Sequence, residues 1–270
     1  MAFLASVAFP ALAQEKRDIR LVEREGLVWV RAQTDEQWQP LPENAQNIPL
    51  EEGDEIKTGE TPSRALIQFD KDNTIELESN TEFKITGSNI AWSKFELFLG
   101  KIFVKIEEKL KDKKRGVEMV LPAATLAVRG TELVAEAPPD EETAGGVGVF
   151  EGSVEATFSG AKDEKPTLIR SGQELTFDPK VRRPKPQALK RYRELRERLK
   201  TLRRRHTRLR TRWARLPAAK RKALREKHLK TRRDRTQRRR ETRQEMKRRG
   251  RLDKKPNQRN PGQRRGRDRR

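Results

Sequence analysis

Two histidines, a group of closely spaced carboxylates and a long series of arginines are the residues of this chain that could do chemistry. His206 and His228 could serve as bases or metal ligands. Neither stands in a His-x-x-x-His pair or beside a carboxylate-rich loop, so no metal site is read from them. A serine nucleophile would need a histidine brought from the far end of the chain, and the sequence has no Gly-x-Ser-x-Gly turn and no Walker-type phosphate loop. Asp70, Asp72, Glu76 and Glu78 could in principle pair for acid–base work. They alternate with Ile75 and Leu77, however, as the solvent side of a hairpin would. The expectation is a non-enzymatic protein with no catalytic residue, no cofactor and no metal. Cysteine is absent, which removes disulfides and thiolate sites. Arginine remains, and its planar fork is suited to two-point binding of carboxylate or phosphate.

A helix must present those arginines. Ala188, Tyr192, Leu195, Leu199, Leu202, His206, Leu209, Trp213 and Leu216 succeed one another at alternating spacings of 4 and 3, a heptad seam that predicts a long amphipathic helix ended by Pro217. Pro217 also suits the first turn of a second helix, with Ala219, Ala223 and Leu224 on a narrower apolar face. Arg191, Arg198, Arg205 and Arg212 flank the seam on one side, and Arg196, Arg203 and Arg210 on the other. A parallel homodimer would set arginine against arginine at every flanking contact, so self-pairing is disfavoured. Three partners stay open: the acidic body of the same chain, a separate protein with an acidic face, or an anionic surface. These seven arginines are the anion- or partner-binding candidates, and Tyr192, Leu195, Leu199, Leu202, Leu209 and Trp213 are the seam.

The charge distribution divides the 270 residues in two. Residues 1–180 hold 22 Lys and Arg against 33 Asp and Glu, and residues 181–270 hold 41 against 8. An acidic body thus bears a basic arm. Met1 to Ala13 is uncharged and apolar and closes on Ala11-Leu12-Ala13, the apolar segment and small-x-small site of a secretory signal without its positive start. The expected parts are a signal remnant over 1–13, a β domain over 20–178, a proline-rich linker over 179–186, a basic α-helical region over 187–249 and a disordered basic tail over 250–270. The expected location is the periplasm or the exterior of a bacterial cell, with no transmembrane segment.

Within the body the period is two. Ala65, Ile67 and Phe69 face one way against Leu66 and Gln68; Ile75 and Leu77 oppose Glu76 and Glu78; and Ile102, Val104 and Ile106 share a face. Ala124, Leu126 and Val128 alternate up to Arg129-Gly130-Thr131, after which Leu133, Val134 and Ala135 resume the strand. A glycine in such a place marks a bulge or a close backbone approach, so these three residues are read as structural. Gly26, Gly100 and Gly152 each lead a strand, and Leu50-x-x-Gly53-x-x-Ile56 echoes Ile169-x-x-Gly172-x-x-Leu175. Such echoes suit strands wound in successive similar layers, a roll or short solenoid.

Five blocks in order give a resemblance: Gly53 to Phe69, Thr74 to Ile85, Glu96 to Ile106, the Arg-Gly-Thr segment, and Val147 to Ala156 with Ile169 to Phe177 after it. Together they resemble the FecR domain. Asp72-Asn73 stands where that family tends to have an Asp-Gly turn, and Asn73, tolerant of the left-handed region, would preserve it. The resemblance implies a mainly β, rolled domain that senses or transmits a signal by protein contact. The whole is then expected to be an envelope binding or scaffolding module, its basic arm engaging an acidic partner or an anionic envelope surface. The alternative is nucleic-acid binding through the basic arm, whose charge fits phosphate equally well.

Overall fold

The computed structural model describes residues 16–226, apart from 34, 90–91, 108–115, 141, 160–164, 179–180 and 182–183, together with 245–246. The expected signal remnant, His228 and the tail 250–270 lie outside the described residues. The chain divides into two compact units, 1–225 and 226–270, and every described strand belongs to the first.

That unit is mainly β, as the residue alternation requires. The strands are β1 (Ile19–Glu25), β2 (Val28–Arg31), β3 (Gln39–Pro40), β4 (Ile48–Leu50), β5 (Glu55–Thr58), β6 (Arg64–Phe69), β7 (Asn73–Leu77), β8 (Glu82–Ser88), β9 (Trp92–Ile106), β10 (Gly116–Val120), β11 (Ala124–Ala137), β12 (Gly145–Phe158), β13 (Thr167–Arg170), β14 (Gln173–Phe177) and β15 (Gln187–Ala188). They form two layers joined through three long strands. One layer runs β4, β1, β6, β7, the second half of β9, the second half of β11, the first half of β12, β14 and β15. The other runs β3, β2, β5, β8, the first half of β9, β10, the first half of β11, the second half of β12 and β13. We call them the first and second layers. Phe69 of the first layer meets Phe95 of the second at 5.2 Å between ring centroids, and Phe158 of the second meets Phe177 of the first at 6.1 Å.

The glycines noted in the sequence are where the chain passes between layers. Gly26, Gly53, Gly100, Gly130, Gly152 and Gly172 all take positive φ, and Asn80 does so between β7 and β8. The corner also shifts the pattern of inward residues by one. In β9 the inward set is Ser93, Phe95 and Leu97 before Gly100 and Ile102, Val104 and Ile106 after it. In β11 Ala124, Leu126 and Val128 give way to Leu133, Ala135 and Ala137. In β12 Val147 and Val149 give way to Val154 and Ala156. One extra residue at each bend re-aims the side chains so that both halves of a strand keep facing the shared core, the role of a β-bulge. At the Gly130 corner the ladder with β12 shifts register, and Thr131 Oγ1 donates to the carbonyls of Arg129 and Ser153, 2.9 Å each. In the β6–β7 hairpin the left-handed residue is Asp70, at φ 55°, whereas Asn73 already belongs to β7 and pairs with Phe69. The turn is therefore kept by a different residue from the one expected.

After β15 the chain makes a 3₁₀ turn (Arg193–Leu195) and the helix α1 (Arg196–Arg212). The helix stops before the seam does. Trp213 is extended, at ψ 124°, and a second helix, α2, occupies 218–226 after Pro217. Tertiary contact accounts for the early stop: the Arg20 guanidinium lies 4.2 Å from the Trp213 ring centroid and donates to the Ala214 carbonyl, while buried Asp18 accepts the Leu216 N–H. At the far end of this segment Arg225 pairs with fully buried Asp54 through two nitrogens.

The helix seat and its carboxylates

The first layer's outer face carries one cross-strand row made of Leu66, Glu76, Phe103, Val134 and Gly148, each opposite the next. Leu66, Phe103 and Val134, with Val22 and Phe150, form an apolar strip separate from the inner core, and Leu189, Tyr192, Leu195, Leu199, Leu202 and Leu209 cover it. The segment from Tyr192 to Trp213 therefore crosses the strands, from β12 under Tyr192 to β1 beside Trp213, with α1 between. Tyr192, Leu195, Leu199, Leu202 and Leu209 of the expected seam face this sheet; Ala188 instead pairs with β14 and is exposed, and Trp213 lies beyond the helix.

Tyr192 is seated by glycine. A Cβ on Gly146 would lie 2.7 Å from the tyrosine oxygen, and one on Gly148 would lie 2.7 Å from ring carbon Cδ2. The alternate glycines of Gly146-Val147-Gly148 leave the outer face of β12 bare while Val147 enters the core. Buried Glu174 accepts the Lys190 N–H at 3.0 Å, fixing the turn before the ring, and Tyr192 Oη donates to Glu136 Oε2 at 3.1 Å. Burial pushes the phenol's pKa well above its ordinary value, with the Glu136 charge adding to the effect. Gly148→Val should cost about 1–3 kcal/mol of helix docking by overpacking. Hydrogen exchange in α1 would accelerate accordingly, while exchange in β6 and β7 would not.

Carboxylates border the strip on both sides, and the flanking arginines reach them. From one flank, Arg191 Nη2 meets Glu136 Oε2 at 2.7 Å, Arg198 pairs with Glu76 (3.2 Å) and Glu78, and Arg205 meets Glu76 at 3.1 Å. From the other, Arg203 Nε donates to both oxygens of Glu132 (2.8 and 2.6 Å), and Arg210 pairs with Asp72 (2.8 Å) and Glu107. Arg208 adds a pair with Glu23. Arg196 and Arg212 are exposed and pair with no carboxylate among the described residues. Five of the seven candidates pair with carboxylates, and those carboxylates belong to the same chain.

Sequence reasoning missed those carboxylates. Glu76 was expected on a solvent face, yet only 3% of it is exposed, because a helix more than a hundred residues later covers it. The available signal was the acid excess of the body, with Glu76, Glu132 and Glu136 at outward positions of their strands and Glu78 just after β7. The two buried ones differ. Burial pushes Glu76 above the ordinary carboxylate range, and the charges of Arg205 and Arg198 only partly oppose it. Burial acts on Glu132 too, but hydrogen bonds from Arg203 and Lys105 outweigh it and hold its pKa below the ordinary value. The arginines of these pairs are a quarter to a half exposed, so each pair is screened and contributes modestly. Each well-buried leucine contributes about 1.5–3 kcal/mol. The strip supplies most of the docking energy and the pairs fix its register.

The second layer's outer face is built differently, with strands that neutralise one another. Glu55 is shared by Arg31 and Lys84, Glu82 pairs with Lys57, and Glu118 pairs with Lys94 and accepts the Trp92 indole N–H. Among the described residues no group of His, Cys, Asp and Glu is arranged to hold a metal ion, and no helix is long and apolar enough to cross a membrane.

Fold and surface together define a two-layer β module with one face closed by a basic amphipathic helix. Residues 54–155, less than half of the chain, match the model of the family described as FecR protein. That span holds Glu76, Glu78, Glu107, Glu132 and Glu136, whereas the arginines that bind them lie outside it. No curated protein matches the chain. Two crystal structures of a candidate anti-sigma factor from Parabacteroides distasonis ATCC 8503, at 1.65 and 2.50 Å, are similar at 14% identity and a TM-score of 0.43. Each match covers 52% of this chain and 62% of the other, so this chain spans less than two-thirds of their length.

Proposed function

We propose that this protein is a non-enzymatic sensing or scaffolding module of the bacterial envelope, which works by contact and uses the free part of its basic arm to hold an anionic surface. The match to FecR supports a module that acts through protein contact. Acid–base chemistry finds little support at the carboxylates considered for it, since Glu76 and Glu78 are both held by Arg198. One observation carries the anionic partner: the arm's cations are divided. Five of the seven flanking the seam are occupied by the sheet, whereas the flanking Arg196 together with Arg193, Lys200 and Arg204 forms an exposed row turned away from the sheet, Lys200 alone of the four having a carboxylate partner among the described residues, Glu197. Beyond them residues 227–270 hold 21 Lys and Arg against 5 Asp and Glu, an excess of 16. Export, inferred from Met1 to Ala13, makes phosphate-bearing lipid the anion at hand.

The test is co-sedimentation of the full chain with phosphatidylglycerol vesicles, against phosphatidylcholine vesicles and duplex DNA. Replacing Arg193, Arg196 and Arg204 by Gln should weaken lipid binding roughly a hundredfold, at about 1 kcal/mol per cation near an anionic surface. Unchanged lipid binding in that variant would contradict the reading, and tighter binding to DNA than to lipid would favour the nucleic-acid alternative.

A further inference from the structure

His206 lies in the middle of the docked face of α1 and is fully buried. Neither ring nitrogen makes a hydrogen bond of good geometry among the described residues, the Asp72 backbone carbonyl offering only a weak acceptor. A buried imidazole normally finds at least one. The charged residues around it are Glu107 and Lys105 from β9, Asp72 from the turn before β7, and Arg210 one turn further along α1. Glu107 Oε1 stands 3.5 Å from Nδ1 without forming a hydrogen bond, and the Glu107 carboxylate is already shared by Lys105 and Arg210. A proton on His206 would place a third cation on one carboxylate, on a ring that is itself fully buried.

We propose that α1 is an acid-released cover whose trigger is His206, so that protonating this one side chain detaches the helix from the sheet. Release would free Arg191, Arg198, Arg203, Arg205 and Arg210 for the anionic partner, so the inference rests on the function proposed above and adds its regulation. The direction comes from linkage. Burial lowers the pKa of His206 from its ordinary 6.5, with the charge of Glu107 and the Asp72 backbone carbonyl opposing and the charges of Lys105 and Arg210 adding. The released helix therefore binds the proton more readily than the docked one. His206 leaves docking at full strength above pH 6.5 and weakens it as pH falls from there toward the docked pKa. Glu76 works the other way: its raised pKa means that taking up a proton favours the docked state. Glu132, held low, begins to weaken docking only below the ordinary carboxylate range.

Only two histidines exist, which makes the test direct. Imidazole resonances of the full-length protein, assigned by comparison with His206→Leu, are followed from pH 8 to 5 without any ligand, together with the backbone amides of α1. The expected result is that His206 resists protonation below pH 6.5, and that the opening equilibrium of α1 rises by up to about tenfold per pH unit in step with it. In His206→Leu that rise disappears. An imidazole that titrates at its ordinary pKa with α1 still docked would overturn the proposal, as would an unchanged pH response in His206→Leu. Because no anion is present, failure here leaves the vesicle result to be judged by itself. Should His206→Leu repack, the titration of the unaltered protein still decides.

Discussion

Leu202→Asp should release α1 from the sheet while leaving the β module folded. Leu202 is 1% exposed and lies over the outer strip, not in the core between the layers. The substitution removes about 1.5–3 kcal/mol of apolar burial and asks a carboxylate to enter the same site, at a further cost of several kcal/mol unless the helix leaves. Leaving is the cheaper course, because the inner core shares no residue with the strip. Hydrogen exchange over 196–212 should approach the rate of an unstructured peptide while β6, β7 and β11 stay protected. Thr201→Asp, one residue away on the exposed side, should change docking by less than about 0.5 kcal/mol. Loss of protection throughout the strands of Leu202→Asp would mean that helix and sheet fold as one cooperative unit.

The second large effect separates two glutamates that look alike in the sequence. Glu132→Gln should weaken docking by about 1 kcal/mol at pH 7, since it removes the hydrogen bonds between a buried carboxylate and the half-exposed Arg203 of the helix. Glu76→Gln should cost far less or stabilise, because desolvation already outweighs the attraction of Arg205 and Arg198 for its charge. The pH dependence carries the same contrast. With its pKa held down, Glu132 contributes to docking above its ordinary 4.5, and that contribution is lost as pH falls through the docked value. With its pKa pushed up, Glu76 contributes below 4.5 and loses that contribution as pH rises through its docked value. Urea titration of α1 release at pH 7 and pH 4.5 measures both, and equal effects of the two substitutions at pH 7 would contradict the assignment.

Much of the fold was written in local patterns. Alternation in Arg64–Phe69 and Asn73–Leu77 is enough to place those strands, and the glycine-led echoes at Gly26, Gly53, Gly100, Gly152 and Gly172 mark the passages between layers because only a residue free of Cβ strain turns there readily. The change of inward parity across Gly100, Gly130 and Gly152 was also present in the sequence and is the sharper signal, since it gives the reason for each glycine. The arginines were legible as anion binders and the seam as one apolar face. Their partner was not. Heptad spacing reports that a face is buried without saying against what, and the fit between Tyr192 and the bare glycines of β12 exists only once the sheet has formed. The end of α1 was equally hidden. Nothing local stops a helix at Arg212; Asp18 and Arg20, nearly two hundred residues earlier, draw Trp213 to Leu216 out of it.

The central claim is that the basic helix covers the acidic face of its own chain. Because the protein has no cysteine, Thr207→Cys on the exposed side of α1 and Lys71→Cys in the β6–β7 turn can carry the only two spin labels. Pulsed dipolar spectroscopy of this pair should give one short, narrow distance that persists when labelled chains are diluted into an excess of unlabelled ones. A broad distribution of long distances, or a short distance that fades on dilution, would show that the helix is free or seated on a second copy.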